Sequence, residues 1–317
     1  MHTCEPPTEA LNEWLTVYPS VNGTYGHLLL EQATETNQNL ISVLRPYFES
    51  AHLDAREHFH REIAIDLHPD AGAPGEQTCY PNCLPSKAHK GLFGEVMAGM
   101  LTEAFKTSFI GNHEWKIPIF LFRMHADVEA YLWTLVRDET REREIFGRFG
   151  SDFIGLSLND QGEVNRIIIG EAKWRSQLTQ SVIDTLMLGN WRTNKDTGER
   201  HRARGIWFEI NRDTGVPHGL RQLQRLLQHK NMEGYQAAVV SIDRIVAQKD
   251  APILPRTNLV LISGNDTPNR ETANSLIPWE TIPSDYLAPH DLQVVELILQ
   301  DGETLIDGIY SSLWNGK

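Results

Sequence analysis

Glu171 and Lys173 stand one residue apart at the end of an apolar run, "NRIIIGEAKWR", and Asp152 stands at the start of another, "GSDFIGLSL". Two acids and an amine at the ends of buried strands are the components of metal-assisted phosphodiester cleavage. That reaction needs its attacking water deprotonated, its in-line oxygens neutralised and its leaving oxygen stabilised. One or two Mg²⁺ ions on hard carboxylate oxygens do most of this. Strand geometry suits the spacing, because residues i and i+2 point to the same face of a sheet. Glu171 and Lys173 therefore share a face, and Ala172 takes the other. "NDQG" reads as a hairpin turn between strands at 152–158 and 164–173. A turn centred on residues 160–162 sets Asp152 opposite Glu171, so one hairpin unites the two carboxylates. The competing reading is an ion pair on an edge strand, which suits an exposed polar strand better than "RIIIGEAKW".

The elements around this hairpin set its context. Residues 8–63 show apolar residues at three- and four-residue spacing in "EALNEWLTVY", "GHLLLEQATETNQNLISVLRPYF" and "HLDAREHFHREIAI", which predicts helices. "HPDAGAPGEQTCYPNCLPS" is dense in Pro and Gly and reads as a loop. From Lys90, "KGLFGEVMAGMLTEAF" is an amphipathic helix with Glu95 at the flank of its apolar face. "WKIPIFLFRM" reads as a strand and "ADVEAYLWTLVRDETRERE" as a helix. After Arg175, "SQLTQSVIDTLML" reads as a helix capped by Ser176, which carries Gln177 on its first turn.

Further on, "LRQLQRLLQ" is helical and "RTNLVLISG" a strand. "YQAAVVSIDRIVA" fits a strand or a helix–strand pair, and "PHDLQVVELILQDGETLIDGIYSSLW" reads as one or two closing helices. Helices before and after a central set of strands argue a mixed α/β architecture. The expected division is a mainly helical region at 1–85, a catalytic core at 86–245, and a C-terminal part at 246–317 that completes the domain or binds a partner.

The formal charge of −13 runs against a free-standing DNA binder, since phosphate attracts Lys and Arg. The acidity is concentrated at the two ends. Residues 1–70 hold 3 Lys/Arg against 11 Asp/Glu, residues 246–317 hold 4 against 10, and residues 71–245 hold 22 against 21. Within the neutral middle, residues 192–225 carry 8 basic and 4 acidic residues, including "RHRARG", which makes a basic face near the Asp152–Glu171 pair. A DNA-mimicking inhibitor fits this map poorly.

Cys79 and Cys83 in "CYPNC" have the spacing of a zinc half-site, but no second cysteine pair completes one, and reduced thiols in a turn are the simpler reading. His58 with His60, and Asp66 with His68, are spaced i, i+2 and would not share a helix face. No apolar run approaches a membrane span, and "MHTCEPPTEALNEW" lacks the features of a secretory signal, so a cytoplasmic protein is expected. Neither a Walker loop nor a GxGxxG loop is present, so no nucleotide cofactor is expected.

Asp152 followed by Glu171-x-Lys173 on adjacent strands, after a helix with Glu95 and before a helix with Gln177, resembles the PD-(D/E)xK nuclease superfamily. The resemblance implies a restriction-endonuclease-like core of helix, strand meander and helix. It implies that Asp152, Glu171 and Lys173 form the catalytic set, that Glu95 adds a third metal ligand, and that Gln177 contacts substrate. Ser151 stands where the motif has proline. More narrowly, "KGLFGEVMAGMLTEAF", "IPIFLFRM", "GSDFIGL" and "IIIGEAKW", spread over residues 88–190, are similar to the HamA nucleases of Hachiman anti-phage defence. That similarity implies DNA as substrate, Mg²⁺ as cofactor with Mn²⁺ as a substitute, and a helicase partner of the HamB kind. The alternative is a catalytically weak or inactive nuclease-fold scaffold that binds a helicase or another partner.

Overall fold

The computed structural model describes residues 1–63, 79–137, 152–194, 197–212, 216–230, 234–247, 254–277 and 280–314. Its centre is a six-stranded mixed sheet in the order β1 (Leu15–Asn22), β2 (Tyr25–Gln32), β8 (Asp291–Leu299), β7 (Arg256–Asn265), β4 (Val164–Arg175), β3 (Phe153–Leu158). The inner four strands run parallel, while β1 and β3 pair antiparallel at the two edges. β5 (Gly189–Thr193) and β6 (Arg200–Arg204) form a separate two-stranded ribbon. Helices cover both faces, giving the α/β layering expected from the sequence.

One face packs against α1 (Thr8–Trp14), α2 (Gln38–Ile63), α3 (Ser86–Ala104), α4 (Ala126–Arg137) and α9 (Gly302–Ser312) through a single large apolar cluster. The other face carries two smaller clusters. One lies under α5 (Gln180–Leu188) and α6 (Ile206–Arg212), and the other under α7 (Val216–Lys230) and α8 (Gln236–Ala247). Among the described residues no helix is long and apolar enough to cross a membrane.

The predicted β3–β4 hairpin is present with its predicted register. Phe153 pairs with Gly170 and Ser157 with Arg166, and the register slips only beyond Ser157. Gly170 is needed there, because a Cβ at that position would lie 2.0 Å from the Phe153 ring. α3 lies against β4. A Cβ on Gly94 would sit 3.4 Å from that of Ala172, and Phe93 meets Trp174 edge-on with ring centroids 5.7 Å apart. Trp174 is thus a packing residue on the α3 face.

Several expectations are corrected. The helical reading of 8–63 fails over 15–32, which forms the β1–β2 hairpin. "LQVVELIL" is strand β8 and not part of a closing helix, and "YQAAVVSIDRIVA" lies in helix α8. Every residue of β2 is buried, as is all of β8 beyond its first residue. A strand covered on both faces shows a continuous apolar run, and such a run looks the same as a buried helical segment. The strands come from all three expected regions, so boundaries near 85 and 245 divide the sequence and not the sheet.

"WKIPIFLFRM" forms no strand. It crosses the open edge of β3 through a single two-hydrogen-bond bridge, Lys116 to Leu156, and then winds into a 3₁₀ turn at Phe122–Met124. Pro118 has no N–H to extend the ladder, but Ile117, Ile119, Phe120, Leu121 and Phe122 are buried all the same. The charged tail expected to continue helix α4 beyond Arg137, and most of the expected Pro/Gly-rich loop, lie outside the described residues.

Candidate active site

Asp152, Glu171 and Lys173 meet at the open end of the β3–β4 ladder. The Asp152 N–H donates to the Gly170 carbonyl at 2.9 Å, and its Oδ2 accepts the Ala172 N–H at 2.8 Å. Asp152 therefore closes the ladder with its own side chain where strand pairing stops. Lys173 Nζ donates to Asp152 Oδ2 and to Glu171 Oε2, each at 3.1 Å. On the other side, Glu171 pairs in register with Val260 of β7 and Lys173 with Ile262, so an apolar strand flanks the charges.

All three side chains are partly covered, with Lys173 33% exposed, Asp152 19% and Glu171 17%. Burial works against the ammonium, but Asp152 and Glu171 outweigh it and hold the Lys173 pKa above the ordinary lysine value. In this arrangement the Lys173 ammonium is the charge partner of both carboxylates.

Arg175, which sequence reasoning did not single out, is the next residue on the same face of β4. It is exposed, and its Nη1 donates to the Trp174 carbonyl at 2.7 Å. Strand alternation past Lys173 was the available signal. Glu171, Lys173 and Arg175 thus present one acid and two cations in a row at the carboxyl end of a parallel strand, where open α/β sheets place their ligands.

Glu95 is not part of this group. Because Ala172 is the residue that meets α3, Glu171 and Lys173 project from the opposite face of the sheet. Glu95 is buried on the α3 side, 3.7 Å from His125 Nε2. It lies near Tyr80 and Tyr310, whose hydroxyls are pushed well above their ordinary pKa, mainly by burial. Those hydroxyls flank His52, at 3.0 Å from Nδ1 and 3.2 Å from Nε2. Burial holds His52 well below the usual histidine range, with His89 and His125 acting in the same direction. This is an enclosed polar network between helices. Among the described residues no three His, Cys, Asp or Glu side chains are arranged to hold a metal.

Gln177 is also displaced from its expected setting. α5 begins at Gln180, capped by Thr179, whose Oγ1 accepts the Val182 N–H at 3.3 Å; Ser176 and Gln177 are exposed in the bend before it. Cys4, Cys79 and Cys83 are free thiols. His58 and His60 are half-buried on α2.

No protein-family model matches the chain, and a search of curated proteins returns no significant match. The reading of the site therefore rests on its geometry and on the motif resemblance.

Proposed function

We propose that this chain is a metal-dependent DNA nuclease with a PD-(D/E)xK core, in which α3, β3, β4 and α5 are the helix, strands and helix around the catalytic set. The observation that carries this reading is the convergence of Asp152 and Glu171 on one ammonium, Lys173, at the end of a central strand. The donor set suits Mg²⁺, which takes hard oxygen ligands, keeps several waters, and needs only one or two carboxylates from a protein. Asp152 and Glu171 would hold the ion, with Mn²⁺ as a substitute. When bound, it supplies Lewis-acid stabilisation of the phosphate and an acidified water.

The chain's own groups do the rest. Lys173 donates to the attacking water or to a non-bridging phosphate oxygen and offsets the charge that grows there. Arg175 offers planar donors for a second phosphate oxygen. Asp152 is fixed by the Ala172 N–H, which limits its rotation before any ligand arrives.

The similarity to HamA extends the proposal to a cytoplasmic anti-phage effector that works with a helicase. The acidic stretches at 1–70 and 246–317 disfavour unassisted DNA binding, which fits a nuclease supplied with DNA by a partner. A second reading has one observation in its favour: Lys173 already bridges both carboxylates, as it would in a structural ion triad within a catalytically weak or inactive scaffold that binds the helicase.

Plasmid cleavage by the purified chain in Mg²⁺, with an EDTA control, separates the two. A nuclease cuts in Mg²⁺ and stops in EDTA, and Asp152→Asn, Glu171→Gln and Lys173→Ala each abolish cutting while circular dichroism stays native. Full cutting by Lys173→Ala would overturn the assignment, and no cutting with or without the helicase would favour the scaffold.

A further inference from the structure

The β5–β6 ribbon was not anticipated from the sequence, because its strands, "GNWRT" and "RHRAR", are too polar to show an apolar alternation. Its register sets Trp191 opposite Arg202, Arg192 opposite His201, and Thr193 opposite Arg200. Trp191, Arg202 and Arg200 therefore share one face, with Arg192 and His201 on the other. The Arg202 guanidinium lies 5.0 Å from the Trp191 ring centroid and that of Arg200 lies 5.2 Å away. Even with both guanidinium groups against it, Trp191 remains 55% exposed. Phe208, on the first turn of α6 just after the ribbon, is a second exposed aromatic, at 42%.

An indole of this size standing in water at the centre of an arginine cluster has no role in the core. Single-stranded nucleic-acid sites combine the same two parts: an aromatic face on which an unpaired base stacks, and cations that follow the phosphates. Stacking on tryptophan leaves the edges of both guanidinium groups able to donate to phosphate oxygens. A duplex offers no base face to such a platform.

The ribbon is also anchored to the helix that follows β4. Arg202 Nη1 donates to the Asp184 carbonyl of α5 at 3.0 Å, and α5 is the element that follows β4. Gly205 allows the close crossing at the ribbon's base, where a Cβ would lie 2.3 Å from the Met187 carbonyl oxygen. Glu199, in the connection between the two strands, is an exposed acid next to Arg200.

We propose that the β5–β6 ribbon is a single-stranded DNA binding arm, with Trp191 as the base platform and Arg192, Arg200 and Arg202 as phosphate contacts. This rests on the nuclease reading for its purpose, but it can be tested without it. The full chain is titrated in EDTA with fluorescein-labelled dT20 and with a 20-base-pair duplex, following anisotropy and the quenching of tryptophan fluorescence. The expected result is that dT20 binds at least tenfold more tightly than the duplex. Trp191→Ala should lose roughly tenfold or more in dT20 affinity, and Trp191→Phe should keep most of it. Arg200→Ala, which leaves the Arg202 tie to α5 intact, should lower the slope of log affinity against log salt by about 0.7.

Unchanged dT20 affinity in Trp191→Ala, or equal binding of dT20 and duplex, would overturn the proposal. The two readings can fail separately. Binding to dT20 that depends on Trp191 without Mg²⁺-dependent cutting sinks the nuclease and keeps the arm. Cutting that is indifferent to Trp191 and Arg200, in a chain whose dT20 affinity they also leave unchanged, sinks the arm and keeps the nuclease.

Discussion

On β8, Glu296 is 1% exposed, and its two oxygens take the Ser275 hydroxyl, the Leu276 N–H at 2.9 Å, the Ile277 N–H at 3.0 Å and His27 Nε2 at 2.8 Å. On β4, Glu171 stays 17% exposed beside an ammonium that it shares with Asp152. Both are acids in core strands, but their partners differ in kind. Backbone N–H groups and a buried hydroxyl cannot leave Glu296 without losing the loop they belong to. Nearby, Glu31 plays the same part, held by Arg270 at 2.5 Å and by the Ala273 N–H at 3.1 Å, so two buried acids fasten residues 266–277 to the sheet. The partner of Glu171 is instead the tip of a four-carbon side chain that is 33% exposed.

Ser275, His27 and Glu296 also look like a hydrolytic triad, and the geometry argues against one. Ser275 and Glu296 both approach the same ring nitrogen of His27, at 3.4 Å and 2.8 Å, whereas a triad uses the two nitrogens for different partners. A cluster with every contact fixed holds structure together, while one with a partly exposed cation and open surface is fit for chemistry.

That contrast breaks most sharply at the β4 carboxylates. If the proposed metal role holds, Asp152→Asn and Glu171→Gln should each reduce Mg²⁺-dependent cleavage by about 10³-fold or more. Gel assays of plasmid cutting check this, and a melting temperature within a few degrees of wild type shows that the fold is intact. A large fall in melting temperature with cutting preserved per folded molecule would move this cluster into the structural class.

A smaller effect belongs to Lys173→Ala, at about 10²–10³-fold in kcat, the usual cost of one preorganised charge stabiliser. The sign of the pH dependence follows from its raised pKa. The stability it contributes is fully present below the ordinary lysine value of about 10.4 and is lost as pH rises through the higher folded value. Wild-type cleavage between pH 7 and 9.5 should therefore show no rising limb that disappears in Lys173→Arg. Such a limb would mean that Lys173 titrates as a base.

For Glu296→Ala the expectation reverses. Removing the acceptor shared by the Ser275 hydroxyl and the Leu276 and Ile277 N–H groups should cost about 2 kcal/mol or more, near 30-fold in the folding equilibrium, with cutting per folded molecule unchanged. Urea unfolding followed by circular dichroism measures the first and active-fraction-corrected kinetics the second. The least effect is expected from Glu95→Gln. Cleavage should change by less than about threefold, because the substitution lies across the sheet from the carboxylate pair and keeps its hydrogen-bonding shape. A loss as large as that of Glu171→Gln would place Glu95 back in the metal shell.

The hairpin that carries the site was the most legible part of the molecule. Its two apolar runs and the turn residues between them specify the register that the Phe153–Gly170 pair realises. Of the inner strands, β2 and β8 were the least legible. β2 and β8 are buried on both sides, so nothing in "YGHLLLEQ" or "LQVVELIL" distinguishes a parallel strand from a core helix. Glu95 shows a different limit. Periodicity located it on the right helix, but only packing reveals that α3 lies against Ala172 and hence across the sheet from Glu171. The β5–β6 ribbon escaped because its signal is charge and exposure, and hydrophobic patterning does not register either.

The strand order has a consequence for how the molecule is made. Between β2 and β7 lies β8, the last of the sheet's described strands to leave the ribosome. Until then the N-terminal hairpin and the β3–β4–β7 unit share no ladder, and the closing step must join segments more than 250 residues apart, such as Tyr25 and Leu292. Contacts of that range are entropically expensive and slow to form. A nascent chain can carry its hairpin of acids long before it carries the sheet that holds them in place.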